Sequence, residues 1–219
     1  MRLNNGFGML FSKSYIAYLV IIGVLLIDQL LKIYIKTSIE YGHGFDIMGL
    51  TWAKIHFVEN EGMAFGISFG GVIGKYILSI FRIVMVGFLI YLLRTMIKAG
   101  EPTGLIVCFS MIVAGAIGNI LDSMFYGLFF SESYYHGGLA YVTDFGKGYA
   151  PFLQGRVVDM LYFPLVDSRW PEWVPYFGGE RFEFFRPVFN IADSAISVGV
   201  FLIILFYKKF FLHGLAAKG

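Results

Sequence analysis

The chain has 219 residues, of which 58% are hydrophobic and 15% are charged, and its formal net charge is +2. With a mean hydropathy of +0.71, this composition lies outside the range of ordinary soluble domains and predicts a protein of the lipid bilayer. The small net charge and the lack of a lysine or arginine stripe exclude nucleic acid as an expected partner.

Four apolar segments are predicted to be transmembrane helices, because each approaches or exceeds the roughly 20 helical residues that cross a hydrocarbon core of about 30 Å. They lie at about 15–34, 72–93, 105–130 and 188–206. The first is predicted to be retained rather than cleaved as a secretory signal, because no small-residue cleavage site follows its long apolar run. We therefore expect an all-α polytopic membrane protein, with residues 1–219 forming a single membrane domain.

Positive charges outside the helices predict the orientation. They lie before the first helix, after the second and after the fourth, at Arg2, Lys13, Arg94, Lys98, Lys208 and Lys209. The positive-inside rule then places both termini in the cytoplasm and segments 37–71 and 131–187 on the outer face. In the first outer segment, TWAKIHFVENEGMAFG alternates apolar and polar residues, which predicts short strands on the membrane surface. Cys108 is the only cysteine, so no disulfide is expected.

Three of the four predicted helices carry one polar face each. The residues that share these faces are Asp28 and Lys32 on the first helix, Gly115, Gly118, Asn119 and Asp122 on the third, and Asn190, Asp193, Ser194 and Ser197 on the fourth. Such residues either join helices by close contacts and buried hydrogen bonds or form a functional site. Asp193 favours a functional site, because no basic residue lies near it on its own helix and Pro187 suits a helix that starts at the outer interface.

The candidate chemistry is that of two carboxylates. The four histidines are scattered and HExxH does not occur, so we expect no metal and no cofactor. We also expect no serine nucleophile. Two carboxylates that share one proton can hydrolyse an amide, because one polarises the carbonyl as an acid and the other activates water as a base. The best partner for Asp193 is Asp159 in GRVVDMLYF, although a solvated loop acid is the alternative interpretation of Asp159.

Five motifs resemble those of the lipoprotein signal peptidase family, also called signal peptidase II, over nearly the whole chain. They are DQLLK at 28–32, ENEGMAFG at 59–66, AGAIGNILDS at 114–123, GRVVDMLYF at 155–163 and FNIADSAIS at 189–197. The resemblance implies four helices, a small outer β cradle, and a cofactor-independent aspartic endopeptidase of the bacterial inner membrane. Its expected substrates are diacylglyceryl-modified prolipoproteins, cleaved before the lipidated cysteine, and its expected surroundings are membrane phospholipids, with the chain acting as a monomer.

The resemblance also assigns site residues. It implies that Asp159 and Asp193 are the catalytic pair. The positions that it implies for substrate binding and support are Asn60, Gly62, Phe65, Asn119, Asp122, Asn190, Asp28 and Lys32.

The sequence departs from the family pattern at two places. Ser123 stands where the family usually has an arginine, and we predict that Arg82 in the second helix partly replaces it by pairing with Asp122. A Gly- and Tyr-rich insertion at 128–154 contains Asp144, which competes with Asp159 for the catalytic role. We prefer Asp159, because RVVDMLYF keeps both valines and the aromatic residue of the family motif.

Two other classes of protein place carboxylates on membrane helices. A proton-coupled transporter is one, but its polar residues are expected along the full membrane depth, whereas here they gather towards the outer end. A non-catalytic assembly factor, which would use the glycine faces for docking, is the other. The aromatic segment SRWPEWVPYFGG is predicted to anchor the second outer segment at the lipid headgroups and to gate the site.

Overall fold

The computed structural model describes residues 3–61, 71–164, 166–184 and 187–208. Its helices are α1 (Leu3–Ser38), α2 (Gly71–Lys98), α3 (Thr103–Leu121), α4 (Gly127–Phe129) and α5 (Ile191–Phe206). A π-helical turn at Asp122–Tyr126 joins α3 to α4. The helical segment that begins with α3 therefore continues from Thr103 to Phe129.

Within the described ranges, three helices are long and apolar enough to cross a membrane, namely Ser12–Ser38, Gly71–Lys98 and Thr103–Phe129. The first three predicted segments are therefore confirmed as helices of membrane length. The fourth, α5, is apolar but has 16 residues, which span about 24 Å at 1.5 Å per residue. It begins at Ile191 rather than at residue 188, because Val188–Phe189 pair as a strand.

The central helix is α3, which contacts α1, α2 and α5. Two glycines of α3 allow its neighbours to approach closely. A Cβ at Gly115 would lie 2.2 Å from the carbonyl oxygen of Ala192, and a Cβ at Gly118 would lie 2.8 Å from Oδ2 of Asp28. The absence of side chains at these positions thus lets α5 and α1 pack against the backbone of α3.

A four-stranded antiparallel sheet in the order β1–β2–β3–β6 accompanies the helices. Its strands are β1 (Gly44–Asp46), β2 (Lys54–Asn60), β3 (Val157–Tyr162) and β6 (Val188–Phe189). Buried Phe57, Val158 and Met160 pack with Ile35 of α1 and Phe130. The predicted strand in TWAKIHFVEN is confirmed as β2. The fold combines apolar helices with a small sheet, which the expected all-α class does not include.

Two further elements complete the described fold. Strands β4 (Val166–Arg169) and β5 (Arg181–Phe184) form a separate antiparallel hairpin. The 128–154 insertion, whose fold the sequence did not predict, turns back onto the end of α4. Phe130 and Val142 form an isolated β-bridge, and the Ala150 amide donates to the Gly127 carbonyl at 3.0 Å.

Candidate active site

The start of α5 is built as a capping box. The Asn190 side-chain oxygen accepts the backbone N–H of Asp193 at 2.9 Å. In return, Oδ2 of Asp193 accepts the backbone N–H of Asn190 at 3.2 Å. These two bonds satisfy amides that a helix start leaves unpaired. They explain locally why an apolar helix opens with an amide and a carboxylate, and they fix the direction of the Asp193 side chain.

Asn190 also holds the second candidate carboxylate. Its side-chain nitrogen donates to Oδ1 of Asp159 at 2.7 Å, so one residue contacts both Asp159 and Asp193. Asn60 of β2 donates to the other oxygen of Asp159 at 3.4 Å. Asp159 lies on β3 and is only 3% exposed. The structure thus brings the predicted carboxylate pair together from a strand and a helix that adjoin in space.

The two carboxyl groups lie in different surroundings. Burial raises the pKa of Asp159 to about 7, the negative charge of Asp193 adds to the rise, and the hydrogen bond from Asn190 opposes it. Asp193 is less buried than Asp159, and Asn119 of α3 donates to its Oδ1 at 2.7 Å. A pair of carboxyl groups in unequal environments is suited to dividing acid and base roles.

Behind this pair lies a buried triad of charges on α1 and the π-helical turn. The Nζ atom of Lys32 is 2.9 Å from Asp28 and 2.8 Å from Asp122, and all three side chains are fully buried. Asp28 accepts the backbone N–H of Ala192 at 2.9 Å, and Asp122 accepts that of Val158 at 3.3 Å. The triad therefore ties the start of α5 and the strand of Asp159 to the helix bundle.

Asn119 connects the triad to the carboxylate pair. Its side-chain oxygen accepts from Lys32 at 3.1 Å and from Asn190 at 3.0 Å. Its nitrogen is thereby directed at Asp193, because an amide whose oxygen receives two donors presents its N–H groups on the opposite side. The polar faces of the three predicted helices thus meet in one hydrogen-bonded network.

Most of the predicted site residues share this network. They are Asp28, Lys32, Asn60, Asn119, Asp122, Asp159, Asn190 and Asp193. Gly62 and Phe65 lie outside the described residues. No group of three or more His, Cys, Asp or Glu side chains suited to a metal ion occurs in the described part of the chain.

The competing residue Asp144 lies on an exposed turn of the insertion. Its side chain is 80% exposed and pairs with Lys147 at 2.9 Å. Arg82 of α2 is half-buried, and its charge acts on Asp193, Asp159 and Asp122, most strongly on Asp193. Because Asp122 is paired directly with Lys32, the charge that balances Asp122 comes first from α1 rather than from Arg82.

Gln29 is a residue of the network that the sequence motifs did not single out. Its side-chain nitrogen donates to Asp122 at 2.8 Å and to Asp28 at 3.1 Å, and its oxygen accepts from the hydroxyl of Tyr126 at 3.2 Å. Gln29 therefore satisfies oxygens of both buried aspartates. Its position beside Asp28 in DQLLK was the available signal, since an amide in an apolar run needs a partner.

Comparisons with known proteins agree with this arrangement. The profile of the family described as Signal peptidase (SPase) II matches residues 20–209. A lipoprotein signal peptidase of Porphyromonas gingivalis is 48% identical over 190 residues, which are 86% of this chain and 81% of the relative. One of Amoebophilus asiaticus is 35% identical over 196 residues, which are 89% of this chain and 78% of the relative. A solved bacterial membrane enzyme aligns with a TM-score of 0.57 and 25% identity, covering 88% of this chain and 87% of the other.

The family match covers most of the chain and includes every residue of the network. Three of the helices in the described ranges are of membrane length. The chain therefore belongs to the signal peptidase II family and is a peptidase that several helices embed in the bacterial inner membrane.

Proposed function

We propose that this chain is an aspartic endopeptidase that removes signal peptides from diacylglyceryl-modified prolipoproteins by cleaving before the lipidated cysteine. Asp159 and Asp193 are the proposed catalytic pair. The observation that carries the assignment is the contact of Asn190 with both carboxyl groups at the start of α5. The substrate class is taken from the relatives, which are named lipoprotein signal peptidases.

In the proposed reaction, Asp159 carries the shared proton, since burial raises its pKa to about 7. It donates that proton to the oxygen of the scissile carbonyl. Asp193 removes a proton from a water molecule, whose oxygen attacks the carbonyl carbon. When the tetrahedral intermediate collapses, the C–N bond breaks, the proton on Asp193 passes to the nitrogen of the cysteine, and one hydroxyl of the intermediate returns its proton to Asp159. The signal peptide leaves with a new carboxyl terminus.

The surrounding residues have supporting roles in this proposal. Asn190 and Asn119 orient the two carboxyl groups through the hydrogen bonds described above, and Asn60 donates to Asp159. Gly62 and Phe65 complete the substrate pocket by the family resemblance. The acyl chains of the substrate supply much of the affinity, at about 0.8 kcal/mol for each methylene group buried in lipid or protein.

The proposed topology has four transmembrane helices, with α5 as the fourth. Both termini lie in the cytoplasm by the positive-inside rule. Asp193 is in the first turn of α5, so this orientation puts the carboxylate pair near the outer face, where the lipidated cysteine is held at the interface. We propose that residues 1–219 form one membrane domain that acts as a monomer among phospholipids.

The test is cleavage of a synthetic diacylglyceryl lipopeptide by the purified protein in lipid nanodiscs. General acid and base steps each contribute about 10² to 10⁴ in rate, so Asp159→Asn and Asp193→Asn should each remove nearly all turnover. The double variant should be no slower than either single variant, because each carboxyl group needs the other. Binding of the lipopeptide should persist in all three variants.

Asp144→Asn is the matched control, since it makes the same chemical change on an exposed turn. It should keep most of the activity. If Asp144→Asn abolishes cleavage in a folded protein while Asp159→Asn remains active, the pair is assigned wrongly. If the wild-type protein does not cleave the lipopeptide, the proposed substrate class is wrong.

A further inference from the structure

A second set of charged side chains lies beside strands β2 and β3, away from the carboxylate pair. We call it the rear cluster, and it consists of Lys36, Glu59, Glu61, Lys75, Glu132 and Arg156. It contains three carboxylates and three cations, so its formal charge is balanced. None of these residues belongs to the network around Asp159 and Asp193, and the proposed mechanism uses none of them.

Glu59 of β2 is the buried centre of the rear cluster. Its side chain is 2% exposed and pairs with the fully buried Lys36 of α1. Lys36 also donates to the hydroxyl of Ser133 at 2.8 Å, and that hydroxyl donates to Glu59 at 3.1 Å. The second oxygen of Glu59 is 3.4 Å from Arg156. Glu59 is therefore held from α1, from the insertion and from the residue that precedes β3.

Arg156 connects this centre to the rest of the rear cluster. It lies 2.9 Å from Glu61 and 3.2 Å from Glu132 of the insertion. Its guanidinium stacks over the ring of Tyr149, 5.2 Å from the centroid, and its backbone N–H donates to the Tyr149 hydroxyl at 2.6 Å. Glu61 also pairs with Lys75 of α2. The insertion thus contributes side chains that surround Arg156.

The rear cluster and the carboxylate pair occupy opposite sides of the same two strands. In the antiparallel register, Glu59 is opposite Val158 and Asn60 is opposite Val157. Successive side chains along a strand point to opposite faces. The face of Glu59 and Val158 is the buried rear, whereas Asn60 on the other face reaches Asp159 at 3.4 Å. A hydrogen bond of this length is near the outer limit, so a displacement of a few tenths of an ångström breaks it.

We propose that Glu59 is a positioning residue, whose ion pairs with Lys36 and Arg156 fix the end of β2 so that Asn60 contacts Asp159. This inference rests on the proposed function of Asp159. It gives the insertion a role as well, since Ser133 and Tyr149 hold the two cations in place. Glu59 touches neither substrate nor the reacting atoms and acts only through Asn60.

Glu59→Gln tests this role, because it keeps the shape of the side chain and removes its charge. We expect kcat to fall by about 10- to 100-fold, as for other residues that orient a catalytic group. KM should stay within about twofold of the wild-type value, because the acyl chains that dominate binding are not touched. Asp46→Asn is the matched control, since it removes an exposed ion pair to Lys54 of the same strand and should leave kcat unchanged.

A double-mutant cycle separates positioning from stabilisation. If Glu59 acts through Asn60, Glu59→Gln combined with Asn60→Ala should have the kcat of Asn60→Ala alone. Multiplied losses in the double variant would overturn the proposal. Should Glu59→Gln fold poorly, Lys36→Met with Glu59→Gln removes both charges together. Our proposal expects kcat to stay low in that folded double variant, and wild-type kcat would overturn it.

A titration of Asp159 by carbon-13 NMR gives a readout that needs no turnover. The charged groups that act on Asp159 are Asp193, Lys32 and Arg82, and Asn60 adds a hydrogen bond that lowers its pKa. Loss of that bond should raise the pKa of Asp159 in Glu59→Gln by the same amount as in Asn60→Ala. An unchanged titration would overturn the positioning role, whereas an inactive wild-type protein would overturn the proposed function.

Discussion

Replacing Lys32 by methionine tests whether the buried charges behind Asp193 act as one unit. Lys32 lies 2.9 Å from Asp28 and 2.8 Å from Asp122 with no exposed side-chain surface on any of the three. Methionine has a similar length and no charge. The substitution therefore leaves two buried carboxylates with no cation in contact within the triad.

The expected cost follows from this geometry. Removing one partner of a buried ion pair destabilises a protein by about 3–5 kcal/mol, and here one lysine serves two partners. Such a loss is comparable to the whole stability of many domains, which is about 5–15 kcal/mol. Exchanging all three residues for neutral ones, as Asp28→Asn, Lys32→Met and Asp122→Asn, should recover most of the stability, because no uncompensated charge remains.

The assay is chemical unfolding in detergent micelles, with Lys147→Met as the control. Lys147 pairs with Asp144 on the surface, with both side chains at least 74% exposed, so its loss should cost at most about 1 kcal/mol. Folded Lys32→Met should also turn over slowly, because Lys32 orients the Asn119 amide that donates to Asp193. A Lys32→Met protein with wild-type stability and turnover would refute the reasoning.

Three further predictions concern pH, packing and lipid contact. Between pH 3.8 and about 7, Asp159 keeps its proton in the folded protein and loses it in the unfolded chain. Lowering the pH across this window should therefore raise the free energy of unfolding of the wild type more than that of Asp159→Asn. Equal pH dependence of the unfolding free energy in the two proteins would contradict this. Gly115→Ala should destabilise the protein by about 1–3 kcal/mol, because the new Cβ would lie 2.2 Å from the carbonyl oxygen of Ala192. In the control Gly87→Ala the new Cβ has nothing within 4 Å, so thermal unfolding should show unchanged or higher stability. Trp173 on the turn between β4 and β5 is 80% exposed. In a variant whose other tryptophans are replaced, brominated lipid should quench the fluorescence of Trp173, and unquenched fluorescence would contradict the predicted membrane anchor.

The sequence predicted the elements whose signals are local. Long apolar runs identified α1, α2 and α3, and the alternation in TWAKIHFVEN identified β2. The start of α5 was misplaced because Val188–Phe189 are apolar in either a strand or a helix, and periodicity does not separate the two over so few residues. What decides their conformation is pairing with β3, where Leu161 lies opposite Phe189, and this contact is distant in sequence.

The predicted first helix was too short at both ends, because here too the deciding contacts are distant in sequence. The first helix was ended at residue 34 before Lys36, yet α1 continues to Ser38 because Lys36 is paired with Glu59. At its other end, Lys13 donates to the carbonyls of Gly100 and Glu101 at 2.7 Å. The predicted apolar segment stops short of Lys13 and Lys36, and the partners that hold these two lysines come from distant parts of the chain.

The two departures from the family pattern meet at one place in the fold. The insertion returns to the sheet across the π-helical turn, where the amide of Gly155 donates to the carbonyl of Ser123 at 2.9 Å. A Cβ at Gly155 would lie 2.2 Å from the carbonyl oxygen of Asp122, so the returning backbone is packed directly against this turn. Ser123 is 2% exposed, and an arginine there would have to displace packed neighbours. Because Lys32 already pairs with Asp122, the small residue lets the insertion pass without leaving that carboxylate unpaired.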